Sequence, residues 1–292
     1  MISVLYDLAI APFVDFAFMR RALAGSIALS AGVAPVGVFL MLRRMSLMGD
    51  AISHAILPGA AIGYLLFGLA LLPMAFGGLI AGLAVALLAG LATRFTALKE
   101  DASLAAFYLL SLAAGVLLIS MNGSNIDLMH VLFGTVLALD NAALLFIATA
   151  ASVSLIVLAL IFRPLALECA DPQFLRSVSG VGGLVHLVFL ALVVTNLVAG
   201  FQALGTLLAV GIMMLPATAA RFWARGLGGL MLAAFLIAVV SSYAGLLLSF
   251  FAGLPSGPAI IVVAGGIYIL SLLAGPVGGA LTSRLSNKHR TA

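Results

Sequence analysis

Charge is what this sequence lacks most. Asp, Glu, Lys and Arg make up only 8% of its 292 residues, and the lysines are two, Lys99 and Lys288. A chain this poor in charge, 65% hydrophobic and with a mean hydropathy of +1.33, falls outside the soluble globular class and is a polytopic membrane protein. Its single cysteine, Cys169, excludes an internal disulfide and a cysteine-based metal site within one chain. Neither lysine follows a glycine, so there is no GxxxxGK[ST] phosphate loop, and ATP hydrolysis by that route is excluded. HExxH is missing too, which removes a zinc protease of that kind. The basic residues stand at the ends of apolar segments and form no nucleic-acid footprint. No short apolar core with a small-residue cleavage site opens the chain, so no removable signal peptide is expected.

What is present is a series of apolar runs. We read an all-α membrane bundle of about nine spans, with eight and ten left open, at 22–42, 48–68, 73–93, 102–120, 141–162, 182–200, 203–220, 228–251 and 259–276. Residues 1–21, interrupted by Pro12, read as an interfacial amphipathic segment. The piece LMHVLFGTVLALD, before the fifth span, is too short to cross and reads as interfacial or re-entrant. No repeat, linker or low-complexity tail divides residues 1–292, which form one membrane domain.

Basic residues set the orientation. With the C-terminus cytoplasmic, Arg43, Arg44, Arg94, Lys99, Arg163, Arg176, Arg221, Arg225, Arg284, Lys288 and Arg290 all lie inside, and only Arg20 and Arg21 lie outside with the N-terminus. Asp7, Asp15, Asp127 and Asp140 then face the exterior. They are either an acidic vestibule that concentrates cations or ordinary loop carboxylates.

The stretch RRMSLMGDAISHAILPGAAIGYLLF, Arg43 to Phe67, carries Asp50 and His54 inside an apolar run. Ionisable groups there call for a function. Their i, i+4 spacing puts both on one helix face. Pro58 has no N–H for the His54 carbonyl, so a kink and a free carbonyl are expected beside the pair. Together these suit a dehydrated divalent cation. The competing reading makes Asp50 an N-cap after Gly49 and His54 a packed histidine. Ala51, Ala55, Gly59 and Gly63 form a small-residue stripe that admits a neighbouring helix closely.

A second motif lies in the polar excursion at about 163–180, on the basic side. DPQFLRSV reads as a short helix with Asp171 as cap and Pro172 in the first turn, either a docking surface or a plain interfacial loop. His186 reads as packed or interfacial. His130, near Asp127, is a candidate for the ion's outer access path. Asn196 and Gln202 are expected to bond backbone at a helix break, and Met213 and Met214 to pack. Gly205, Gly211 and Pro216 suggest a bent, close-packed helix.

RRMSLMGDAISHAILPGAAIGYLL resembles the signature of the permease subunits of bacterial ABC importers for zinc, manganese or iron(II). SNIDLMHVLFGTVLAL, RPLALECADPQFLRSVSG and ALGTLLAVGIMMLPATAAR are similar to that family in the same order, over some 180 residues. The resemblance implies a type II ABC-importer-like fold in the bacterial inner membrane. It implies a homodimer with the pathway at its interface, a separate cytoplasmic ATPase and an extracytoplasmic metal-binding protein. It places the family's intramembrane metal gate on Asp50 and His54. It places the coupling helix on about Asp171 to Ser179, with Asp171, Pro172, Gln173, Phe174, Leu175 and Arg176 contacting the ATPase. The chain is then a transport subunit and not an enzyme. No cofactor is held permanently, and the cargo is zinc, by a small margin, or manganese, then iron(II). A secondary transporter or channel, an intramembrane enzyme and a permease for a larger chelate are the rival readings.

Overall fold

The computed structural model describes Tyr6 and residues 8–68, 70–121, 139–178 and 180–282, and these contain helices and no strand. In chain order the helices are α1 (Ala11–Asp15), α2 (Ala17–Leu42), α3 (Met48–Ala55), α4 (Leu57–Phe67), α5 (Leu71–Phe95) and α6 (Glu100–Met121). After them come α7 (Asn141–Ala170), α8 (Pro172–Val178), α9 (Gly182–Leu204), α10 (Thr206–Ala220), α11 (Leu227–Ala252) and α12 (Ser256–Ala274). Among the described residues eight stretches are long and apolar enough to cross a membrane, one of them α3 and α4 in series. The ninth expected span is α10, whose 15 residues reach only about 22 Å, at ~1.5 Å per residue.

Side-chain registers fix the direction of each helix. Gly25 meets Leu144, Gly32 meets Ala151 and Phe39 meets Phe162, so α2 and α7 run parallel. Phe39 meets Phe189 and Gly32 meets Asn196, so α9 runs against them. The chain reverses at Gly205, whose φ of 91° suits glycine. Gly200 then packs on Ala209, and Gly37 packs on the Met213 carbonyl, which sends α10 back along α2. Gly78 against Val198 and Gly82 against Val194 set α5 antiparallel to α9, and Gly59 against Gly77 sets α4 antiparallel to α5. Tyr243 stacks on Phe13 while Leu230 and Ala234 join Ala34 and Val38, so α11 opposes α2. Gly245 against Ile260 and Gly211 against Ile261 turn α12 parallel to α10. Among the described residues the helices therefore make nine alternating passes, α10 being the short one.

The boundaries differ from expectation in three places. The first span begins at Ala17, so Arg20 and Arg21 lie inside α2. The segment before it does not float free, because Tyr243 donates a 2.8 Å hydrogen bond to the Ala9 carbonyl and the Phe16 ring packs at a tilt against Phe250. The fifth span runs through Arg163 and Pro164 to Ala170 instead of ending in a polar excursion. Leu165, fully buried, anchors that extension in the core. Only Pro172–Val178 of the expected 163–180 region is a separate short helix.

Candidate metal-permeation site

Asp50 and His54 lie on α3, whose N-cap is Leu47. Asp50 is therefore in the first turn and makes no cap; the capping alternative fails. A carboxylate there and an imidazole in the last turn both suit the helix dipole. The helix breaks at Ile56, one residue before α4. The Ile56 N–H points to both the Ile52 and His54 carbonyls, so the His54 carbonyl is not left bare. The carbonyl that gains an outside partner is that of Ala55, which accepts a 3.0 Å hydrogen bond from the Ser111 hydroxyl of α6.

His54 Nε2 stands 3.8 Å from Asp50 Oδ1. Two donors bound to one first-row ion at about 2.0–2.2 Å lie at most roughly 4.3 Å apart, so this pair can share an ion. Tyr108 stacks on the imidazole with 6.3 Å between centroids, and Nδ1 is buried without a hydrogen-bond partner. The Asp50 side chain is 63% exposed and that of His54 29%. Among the described residues no group of three or more His, Cys, Asp or Glu is assembled to hold a metal, and Asp50 and His54 stand as a pair. The pair occupies the first and last turns of α3, the short helix that follows the Arg43–Arg44 turn. Gly49 faces the thioethers of Met213 and Met214, and Met213 packs on Gly37 of α2. The small-residue stripe does what its spacing suggests: Gly59 and Gly63 admit the α5 backbone at Gly77 and Pro73, and Gly115 of α6 approaches Pro58.

Asp171 caps α8 as expected: its Oδ1 accepts from the Gln173 and Phe174 amides at 3.0 and 2.9 Å. Gln173 and Phe174 are exposed, Leu175 is buried against the bundle, and Pro172 and Arg176 lie on the same helix. Asp127 and His130 fall outside the described residues, as does Asp7. Asp140 caps α7 through a 2.7 Å bond from the Ala143 amide, which is the ordinary loop role. Asn196 is buried in mid-helix, where it bonds the Leu192 carbonyl and the Ser154 hydroxyl of α7 at 2.8 Å each.

Sequence reasoning missed a partly buried cluster at the basic end. Arg43 pairs with Glu168 at 3.3 Å and bonds His186 Nδ1, and its guanidinium lies 5.2 Å from the Phe189 ring centroid. The available signal was Glu168 itself, a carboxylate set among apolar neighbours in LALECA.

The chain as a whole is similar to known membrane proteins. The profile described as the ABC 3 transport family matches residues 15–275. The manganese import system permease protein ScaB of Streptococcus parasanguinis is 31% identical over 284 residues, covering 96% of this chain and 98% of its own. The manganese transport system membrane protein MntC of Halalkalibacterium halodurans is 30% identical, covering 92% and 91%. The chelated iron transport system membrane protein YfeD of Yersinia pestis is 29% identical, covering 93% and 90%. The solved structure of PsaBC from Streptococcus pneumoniae in complex with Fab superposes with a TM-score of 0.83 at 27% identity, over 97% of this chain and all of that one.

Proposed function

Because this chain belongs to the ABC 3 transport family, as a permease subunit and not an enzyme, we propose that it carries divalent transition-metal ions into the cell, manganese first. The relatives named for manganese support that order, and the one named for chelated iron keeps iron(II) as a competitor. Zinc, first by a small margin on sequence, has no counterpart among those names and moves behind manganese.

The Asp50–His54 pair, with its carboxylate exposed and its imidazole half-buried, carries the reading. A carboxylate 63% exposed in the first turn of a helix belonging to an apolar membrane bundle would be expensive against lipid. A second copy of the chain covers it and supplies the matching pair, so that two carboxylates and two imidazoles hold one ion across a homodimer interface. Carboxylate oxygen and imidazole nitrogen suit Mn²⁺, Fe²⁺ and Zn²⁺ alike. An extracytoplasmic binding protein delivers the ion at the end bearing α1 and the Gly205 reversal. A separate cytoplasmic ATPase docks on α8 at the opposite, basic end. Its closure moves the helices and opens the pathway. Basic residues gathered at the α8 end make that side cytoplasmic.

Uptake into proteoliposomes holding the chain, its ATPase and its binding protein tests this. We expect ATP-dependent manganese accumulation in wild type and loss of at least about tenfold in Asp50→Ala and His54→Ala, which is 1.4 kcal/mol or more in the transport barrier. Normal uptake by both assembled variants would sink the gate assignment. Preferential uptake of zinc or iron(II) would replace the cargo and leave the gate.

A further inference from the structure

We infer that Arg43, Glu168 and His186 are positioning residues that transmit movement of α8 to the helix carrying Asp50 and His54. The inference rests on the proposed docking of an ATPase at α8.

The cluster gathers both flanks of α8 onto one guanidinium. Glu168 is in the last turn of α7, three residues before Asp171, and His186 is in the first turns of α9. The joint between α7 and α8 is stiff. The Asp171 N–H bonds the Leu167 carbonyl at 2.8 Å, the Asp171 carbonyl accepts from the Leu175 amide, and its side chain caps α8. A displacement of α8 therefore carries Glu168 with it. Arg43, the receiving residue, is the C-cap of α2. Next comes Arg44 with φ 59°, the one described non-glycine residue in the left-handed region, and then the short turn that starts α3. Asp50 is seven residues beyond Arg43, so that turn orients the ion-binding face.

Partial burial strengthens the link. The Arg43 and Glu168 side chains are 12% and 11% exposed, and Phe189 lies against the guanidinium. Charges in such surroundings interact far more strongly than in water. The cluster is also incompletely paired: Arg43 Nη1 and Glu168 Oε2 are buried without hydrogen-bond partners. One donor and one acceptor are thus available for a second pairing when the helix ends shift, as a two-state element needs.

The test uses the whole transporter in proteoliposomes, measuring ATP hydrolysis and manganese uptake together. Arg43→Met, Glu168→Met and the double variant Arg43→Met/Glu168→Met are compared. The double variant leaves neither charge buried alone, so it keeps the question open if a single variant fails to fold. We expect manganese moved per ATP to fall at least about fivefold in the double variant, the low end of coupling between separate sites, while the assembled complex still hydrolyses ATP. Wild-type uptake per ATP in the double variant would overturn the inference and leave the cluster a structural ion pair. Phe174→Ala, on the exposed face of α8, separates the underlying reading. Lost ATPase retention supports docking there, and unchanged retention and stimulation overturn docking and this inference with it.

Discussion

Single residues decide how closely these helices meet. Gly37 of α2 lies against the Met213 carbonyl of α10, where a Cβ would collide with backbone that has no rotamer to yield. Gly37→Ala should therefore lower stability by about 1–3 kcal/mol, as overpacking does. Gly90, in α5, has nothing within 4 Å of where a Cβ would stand, so Gly90→Ala should be neutral or stabilising by up to ~1 kcal/mol through helix propensity. Thermal unfolding in detergent of the two variants measures the contrast, and equal shifts would show that the α2–α10 approach is looser than described. Asp50 was legible at this scale because a carboxylate in an apolar run is conspicuous. Its partner environment was not, since Tyr108 and Ser111 reach the α3–α4 break from a helix some 50 residues away.

At the scale of elements, the proposed mechanism depends on the α3–α4 break and the α7–α8 joint. Pro58 announced the first, though the carbonyl that finds a partner is Ala55's. At the second, Asp171 holds the first turn of a seven-residue helix that is too short to persist alone. Replacing it with Ala removes two amide bonds and should cost about 1 kcal/mol of local helix stability. Asp171→Ala should reduce ATPase retention on immobilised permease, while Asp171→Asn, which keeps a capping oxygen, should retain it. Equal retention by the two variants would mean that α8 needs no cap to dock. The end of α7 was misjudged because Arg163 and Pro164 look like a boundary locally. The helix continues because Leu165 is buried in the core and Glu168 finds Arg43, contacts that no local window contains.

At the scale of the whole molecule, the alternating passes of the described helices put α8, Arg221 and Arg225 at one end and the α11–α12 turn at the other. With Cys169→Ser as background, a cysteine replacing Leu254 should react with a membrane-impermeant maleimide in intact cells, Leu254 being exposed in that turn. A cysteine replacing Arg225 should react only after the cells are opened. The reverse pattern would invert the orientation deduced from the basic residues.

The sequence alone determined the membrane class, nearly every span, the basic end and the Asp50–His54 pair. Those are properties of short windows: a run long enough to cross the bilayer, charges that stop it, and two ionisable groups one helical turn apart. Tertiary structure decided the direction of the short α10, the full length of α7 and the Arg43–Glu168–His186 cluster, whose members lie 125 and 143 residues from Arg43. Apolar runs of similar composition do not specify which faces meet. That choice is made by small residues fitting against backbone, as Gly37 does on Met213 and Gly59 on Gly77, because inside a bilayer close packing, more than hydrophobicity, distinguishes one helix pairing from another.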